Sequence, residues 1–344
     1  LALGDGTGAR EEIRQLQTGA PGHALVLSGL FLLARWGLEQ NAFEAVHAVT
    51  QEILALDLAP QDRAYALLLN GEAYRREGQS GEARSQFELV RDSQAVGQLG
   101  WTALLRLAQM EMEAREFSRA AAGSAQILTQ ALPYDVRALA LLLHAEALYR
   151  ARDWDTSAQG FRRFLSEFPG HPQAGAAALS LGWAELRRGN NAAARERWVA
   201  FARFFPADPR APEALLLAGE LAGEAGDPGA MDLLDQLLAR YPAYAQADVA
   251  HLNRATLNLR AGRSREAHEE LVALLKQSPL SPFVGRARLA LGAALVALGR
   301  AAEAQREFKE ALQQGEGALA HLGAGSAALS LRRWAEAARE LGEA

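Results

Sequence analysis

Histidine, cysteine and clustered carboxylates carry much of protein chemistry, and in this sequence none of them falls at a spacing that such chemistry needs. There are seven histidines and no cysteine, so thiolate nucleophiles and thiolate metal ligands are excluded. No two histidines lie four residues apart, and no H-E-x-x-H motif occurs. Phosphate-binding loops and serine-nucleophile motifs are missing as well. We therefore predict no catalytic residues, no metal site, no cofactor and no enzyme activity.

The composition narrows the classes of partner. The formal net charge is −5, whereas proteins that bind nucleic acid along their whole length are usually basic. No apolar run reaches the roughly 20 residues of a membrane-spanning helix. Hydrophobic residues make up 49% of the chain, which is enough to bury a core. We expect a folded protein that has no nucleic-acid partner and no membrane span.

Small residues recur about every 37 residues along most of the chain, which indicates an internal repeat. In most of these units, a second small residue lies twelve positions earlier, as in Gly71, and a large apolar residue four positions later, as in Phe87. A small residue lets two helices approach closely, so each unit is predicted to be a helix–turn–helix pair that packs on its neighbours. The recurring residues are Ala45, Ala83, Ala120, Ser157, Ala194, Ala230, Ala267, Ala304 and Ala337.

This pattern resembles the tetratricopeptide repeat family, over about residues 24–344 and in nine units. The family's small and large positions are matched by Gly71, Tyr74, Ala83 and Phe87, and by Gly292, Ala304, Phe308 and Ala311. The resemblance implies an all-α fold, a superhelical solenoid of about nine helix–turn–helix repeats. We place the solenoid at 23–344, after an irregular lead-in over 1–22 in which Ala9 to Gln17 could form one or two helical turns.

In this family the first helix of each unit lines a concave groove, and the resemblance implies where the groove residues lie. Leucine and aromatic side chains ringed by arginine would suit a protein or peptide segment with acidic and hydrophobic groups. The alternative is that these side chains pack the repeats or extend into water. The predicted groove residues are Arg75, Arg76, Met112, Glu146, Tyr149, Arg150, Trp183, Arg187 and Arg260.

Two irregular segments carry separate predictions. Four glycines cluster between 219 and 229, and they mark either a longer turn or a candidate hinge. The last helix pair ends at Ala344 without a polar capping helix, so assembly through this end is a further expectation.

The function predicted from the sequence is a non-catalytic scaffold that holds a partner segment in its groove. The Phe-Pro and Tyr-Pro joints between units, as in 167–175, 205–212 and 240–248, look like those of the bacterial envelope subgroup, such as the outer-membrane assembly lipoprotein and the Tol–Pal coordinator. That likeness implies a periplasmic or envelope location. The alternatives are a cytoplasmic regulator of the same fold, or a recruitment domain or structural subunit of a larger complex or enzyme.

Overall fold

The computed structural model describes residues 6–19, 24–93 and 97–344. Over these residues all regular secondary structure is helical, in the order α1 to α19. The helices are α1 Gly6–Gly19, α2 Ala24–Glu39, α3 Phe43–Leu54, α4 Pro60–Arg76, α5 Ser80–Asp92, α6 Gln98–Glu113, α7 Phe117–Leu128, α8 Tyr134–Arg150, α9 Trp154–Glu167, α10 Ala174–Arg187, α11 Asn191–Phe204, α12 Ala211–Glu224, α13 Gly229–Arg240, α14 Ala247–Arg260, α15 Ser264–Gln277, α16 Val284–Ala297, α17 Ala301–Gln313, α18 Gly317–Ser330 and α19 Trp334–Glu343.

Helices α2 to α19 form nine consecutive helix–turn–helix pairs, which confirms the all-α repeat fold predicted from the sequence. The irregular lead-in predicted for 1–22 is wrong over Gly6–Gly19, because α1 is a 14-residue helix. Ile13 of α1 is buried, and its Cγ1 lies 3.0 Å from where a side chain on Gly29 of α2 would begin. Residues 1–5 and 20–22 of that prediction lie outside the described residues.

Within a pair, a glycine on the first helix makes room for a large side chain on the second. A Cβ added at Gly71 would lie 2.8 Å from the ring of Phe87, and one added at Gly292 would lie 2.5 Å from that of Phe308. Both rings are buried. Close approach of the two helices therefore depends on the missing methyl group, because real Cβ atoms do not come this near to a ring.

The structure corrects the repeat register at two positions. In the first helix pair the buried residue is Val46, whereas Ala45 is exposed. In the sixth helix pair Gly219 takes the small position of the first helix, because an added Cβ there would lie 2.9 Å from Leu234. Gly219 also lies five residues before the end of its helix, as Gly71 does. Neighbouring alanines at 45 and 218 hide this one-residue offset in the sequence.

On the second helix, two pairs have a small polar residue at the position where the other pairs have a large apolar one. Thr50 and Ser124 are fully buried. Thr50 Oγ1 donates to the Val46 carbonyl at 2.8 Å, and Ser124 Oγ donates to the Ala120 carbonyl at 2.6 Å. Each hydroxyl is thereby satisfied by its own helix, which removes most of the cost of burying it.

The turn inside each pair has one residue in the left-handed backbone region. In the fifth pair this residue is Gly189, with φ of 77°. In the fourth pair it is Arg152, with φ of 66°, and the same two backbone hydrogen bonds close both turns. A residue with a side chain is strained in this region, so the fourth pair carries a local cost that the fifth avoids.

Four joints between consecutive pairs share one backbone path. The second helix ends at Glu167, Phe204, Arg240 or Gln277, and a proline follows two residues later. In the joint after Glu167, the Phe168 amide donates to the Phe164 carbonyl, and the His171 amide donates to the Phe168 carbonyl. Proline has no amide hydrogen and ends the helix, as the sequence predicts.

The chain divides into two compact units, Leu1–Ala177 and Ala178–Ala344. The glycine cluster at 219–229 lies inside the second unit, and its glycines have local packing or turn roles. Gly223 faces Leu257, Gly226 has φ of 68°, and the Gly229 amide donates to the Asp227 side chain. These contacts account for the glycines as a turn between α12 and α13, while a hinge there stays a prediction.

Candidate partner-binding site

In the first unit, the predicted groove residues Arg75 and Arg76 both contact the buried carboxylate of Glu72. Arg75 Nη2 donates to Glu72 Oε1 at 2.7 Å, and Arg76 Nε donates to the same oxygen at 3.1 Å. Arg106, from the next first helix, places its Nε 3.2 Å from Glu72 Oε2. Three guanidinium groups thus converge on one carboxylate.

The protonation of Glu72 follows from these contacts. Burial by itself raises the pKa of the carboxyl group, but hydrogen bonds from Arg75 and Arg76 and the charge of Arg106 outweigh it. The pKa of Glu72 is therefore held below its usual value, and the carboxylate stays ionised at neutral pH. An incoming acidic group would have to compete with Glu72 for these arginines.

The predicted groove residues of α6 and α8 also have partners within the first unit. Met112 packs against the cluster of Ala120 and Leu148. Glu146 accepts a hydrogen bond from Arg150 Nε at 3.0 Å, and Tyr149 is half-buried on the same helix. Met112 is thus part of the packing between repeats, which is the alternative role considered above.

In the second unit, Trp183 packs edge-on against the buried Trp198. Their ring centroids lie 5.0 Å apart, with an interplanar angle of 68°. Trp183 is half-buried and Arg187, four residues later, is exposed. The Trp183 ring therefore supports the fold of its own pair and offers only one part of its surface to a partner.

An open cleft of about 390 Å³ lies along the first helices of the sixth, seventh and eighth pairs, α12, α14 and α16, within the second unit. It contains Arg260, one of the predicted groove residues. The cleft is lined by Gly219, Glu220, Gly223, Glu224, Asn253, Thr256, Leu257, Arg260 and Arg286.

Arg260 is oriented by the preceding repeat. Its Nη1 donates to the Gly223 carbonyl in the last turn of α12, at 3.0 Å. Arg76 makes the equivalent bond to the Leu38 carbonyl, also at 3.0 Å. Carbonyl groups in the last turn of a helix lack partners within that helix, so Arg76 and Arg260 each cap the helix of the repeat before their own.

The two sides of the cleft carry opposite charges. Glu220 accepts a hydrogen bond from Asn253 Nδ2 at 3.0 Å, and Glu224 is exposed at the end of α12. Across the cleft, Arg286 is exposed, and neither a hydrogen bond nor an ion pair engages it among the residues that the structure describes. After capping α12, Arg260 still has donors available to a ligand.

Arg260 is among the groove residues predicted from the sequence, whereas Arg286, Glu220 and Asn253 are not. Asn253 lies two residues before the small residue of its helix, a position that none of the predicted groove residues occupies. Two residues at this position contact a carboxylate of the preceding first helix: Arg106 contacts Glu72, and Asn253 contacts Glu220. Arg106, Ser180 and Asn253 are the polar residues at this position, a signal that could have identified Asn253 but neither Arg286 nor Glu220, which lie at other positions of their helices.

The structure also bears on metal sites and membrane spans. Within 6–19, 24–93 and 97–344, no group of three or more histidine, aspartate or glutamate side chains is placed to hold a metal ion. None of the helices in the described part of the chain is long and apolar enough to span a bilayer.

Comparison with known proteins agrees with the repeat pattern. One family model described as "Tetratricopeptide repeat" matches residues 142–202, 252–315 and 289–344, and a second with the same description matches 213–244. No curated protein sequence matches the chain.

Several solved structures are similar in fold. The C-terminal part of a TPR repeat-containing protein from Cytophaga hutchinsonii has a TM-score of 0.54 and 12% identity, and the match covers 73% of this chain and 96% of that one. The apo form of RapI has a TM-score of 0.53 and 10% identity, covering 92% and 97%. A tetratricopeptide repeat protein from Parabacteroides merdae has a TM-score of 0.44 and 14% identity, covering 77% and 98%. At these identities the first two similarities establish the fold and nothing finer.

Proposed function

Because the chain belongs to the tetratricopeptide repeat family, whose fold is that of protein–protein interaction scaffolds, we propose that it is a non-catalytic scaffold with a peptide site in its second unit. The site is the cleft bounded by Arg286 of α16 and by Glu220 and Glu224 of α12, with Arg260 of α14 between them. The observation that carries this proposal is Arg286, an exposed guanidinium without an ion pair in the described residues, beside a second guanidinium that is already oriented.

The chemistry of the cleft specifies the partner segment. Guanidinium groups bind carboxylates through two parallel hydrogen bonds, which favours an acidic side chain next to Arg286. The carboxylate of Glu224 on the opposite side favours a basic residue in the same segment. The bound peptide is therefore an extended or helical segment that carries both charges, with the acidic residue near α16 and the basic residue near α12.

The first unit is a weaker candidate for the same task. Arg75 and Arg76 already share Glu72 with Arg106. A ligand carboxylate would gain less there, since the guanidinium groups exchange one anionic partner for another and Glu72 would be left buried with fewer contacts. The second unit has no such carboxylate between Arg260 and Arg286.

The experiment is a selection of peptides from a displayed random library on the immobilised chain, followed by titration of the selected peptides. We expect peptides that carry both an acidic and a basic residue and whose affinity falls about tenfold or more with Arg286→Glu, which is the size of a charge-assisted contact. Arg306→Glu, at an exposed position of α17, is the matched control and should leave affinity unchanged. Equal binding by both variants would refute the cleft as the site.

We further propose that the scaffold works in a bacterial cell envelope, on the likeness of its Phe-Pro and Tyr-Pro joints to those of envelope proteins. Fractionation of the native host tests this location separately from peptide binding. Recovery with the periplasmic or membrane fractions would support it, and recovery with the cytoplasm would favour the alternative of a cytoplasmic regulator.

A further inference from the structure

Three joints of the second unit repeat one order of residues. A cation in the last turn of the helix precedes a proline, and an exposed apolar residue follows that proline. The order is Arg203, Pro206 and Ala207 in the first joint; Arg240, Pro242 and Ala243 in the second; and Lys276, Pro279 and Leu280 in the third.

The three joints form one continuous surface, which we call the joint strip, comprising residues 203–210, 240–248 and 276–283. The Tyr241 hydroxyl donates to the Pro206 carbonyl at 2.9 Å, which links the first joint to the second. The Ser281 hydroxyl donates to the Asp248 carboxylate, which links the second to the third. An open cleft of about 720 Å³ lies between these last two joints.

Large apolar side chains project from the joint strip into solvent. Leu280 is 96% exposed and Phe204 is 71% exposed. The guanidinium carbon of Arg203 lies 5.8 Å from the centre of the Phe204 ring, so the cation and the ring are presented together. An exposed leucine at a loop tip contributes no buried surface to the fold, so its side chain is available to an apolar partner or a lipid layer.

The charge that remains available on the joint strip is positive. Of its two carboxylates, Asp208 is paired with Arg210. Asp248 keeps its negative charge, because the Ser281 hydroxyl that donates to it is neutral, but the three remaining cations outnumber it. In the part of the chain that the structure describes, Arg203, Arg240 and Lys276 form no ion pair. Exposed apolar tips flanked by unpaired cations are complementary to a bilayer surface that is negatively charged.

We propose that the joint strip binds the surface of an anionic phospholipid bilayer. Leu280 and Phe204 enter the interfacial layer, while the three cations reach the headgroup phosphates. The corresponding joint of the first unit has Glu167 before Pro169 and Gly170 after it, so it offers neither the cation nor the apolar tip. This proposal is independent of the peptide cleft, because none of its residues lines that cleft.

Sedimentation with vesicles tests the proposal directly. The purified chain is mixed with vesicles of phosphatidylcholine alone or of phosphatidylcholine and phosphatidylglycerol in equal parts. We expect sedimentation with the anionic vesicles only, and its loss at about 0.5 M salt, where the charges are screened. Leu280→Asp should reduce the bound fraction several-fold, and the triple variant Arg203→Glu/Arg240→Glu/Lys276→Glu should reduce it to background.

Leu89→Asp is the matched control, because Leu89 is a half-exposed leucine of the first unit, and its bound fraction should equal that of the unchanged chain. Circular dichroism of each variant verifies the helical fold. Binding of the library-selected peptides should survive the triple variant, which separates this test from that of the cleft. Equal sedimentation with both kinds of vesicle, absence of sedimentation, or self-association in place of vesicle binding would overturn the proposal.

Discussion

Pairs one to three and pairs four to nine have the same helix–turn–helix arrangement, yet the family models match only from residue 142 onward. Two of the first three pairs have Thr50 or Ser124 where the later pairs have a large apolar side chain, such as Trp198. The difference teaches that this arrangement forms without a large residue at that position. The second pair has Phe87 there and is not matched either, so the large residue alone does not decide which pairs the family models match.

The glycine that allows close approach can lie on either helix of a pair. In the fifth pair Gly182 on the first helix faces Trp198, whereas in the fourth pair the glycine is Gly160 on the second helix. A Cβ added at Gly160 would lie 2.9 Å from the Cβ of Ala145. Either helix can therefore supply the missing methyl group that allows close approach, and the family model matches both of these pairs.

Removing the large side chain should separate the two regions most clearly. Trp198→Ala should lower the free energy of unfolding by about 3–5 kcal/mol, because it leaves a cavity in a buried site. Ser124→Ala should cost only about 1 kcal/mol, since one hydrogen bond is lost. Urea titration of both variants measures this, and equal losses would contradict the view that the third pair packs without a large side chain at this position.

Adding a methyl group at the close approach should have the next largest effect. Gly182→Ala places a Cβ against the Trp198 ring and should destabilise the chain by about 1–3 kcal/mol through overpacking. Gly81 in α5 has no neighbour within 4 Å of an added Cβ, so Gly81→Ala should be neutral or slightly stabilising. Thermal unfolding of the pair would contradict this account if both changes shifted the midpoint equally.

The turns offer a change of opposite sign. Arg152→Gly should raise the free energy of unfolding by up to about 1 kcal/mol, because it relieves a left-handed residue in a turn of unchanged geometry. Gly189→Arg should lower it by a similar amount. Urea midpoints that move in the same direction for both variants would contradict this explanation.

The smallest expected effect is the pH dependence of Glu167 in the first unit. Hydrogen bonds from Arg137 and Arg163 lower the pKa of Glu167 to about 2. Since the folded pKa lies below the ordinary value, the stabilisation is complete above pH 4.5 and declines as pH falls toward 2. Glu167→Gln should flatten stability over this window, while the exposed Glu39→Gln should leave it unchanged. Stability measured from pH 6 to 2.5 distinguishes the two.

The sequence predicts the repeat fold because small and large residues recur at one spacing, and helices that bury these residues against each other pack in pairs. It could not separate Ala45 from Val46, since both suit a helix and only packing decides which is buried. It took the glycines around α1 as a break, whereas burial of Ile13 stabilises that helix. Tertiary contacts override local propensity at such places.

The candidate site was predictable only in part. The register placed Arg260 on the face of the first helix, where the structure has it bordering the cleft. The engagement of Arg75 and Arg76 by Glu72 depends on side-chain reach between helices, which spacing along the chain does not encode. Arg286 could not be predicted for the same reason, because its place in the cleft depends on how α12 and α14 pack beside α16.

A charge-swap titration at Arg286 tests the central claim most directly. A peptide selected on the unchanged chain is compared with a version in which its acidic residue is replaced by arginine, against both the unchanged chain and Arg286→Glu. We predict that the original peptide loses affinity for Arg286→Glu and that the arginine version regains it. If the arginine version binds both proteins equally weakly, the acidic residue does not contact Arg286, and the cleft is not the peptide site.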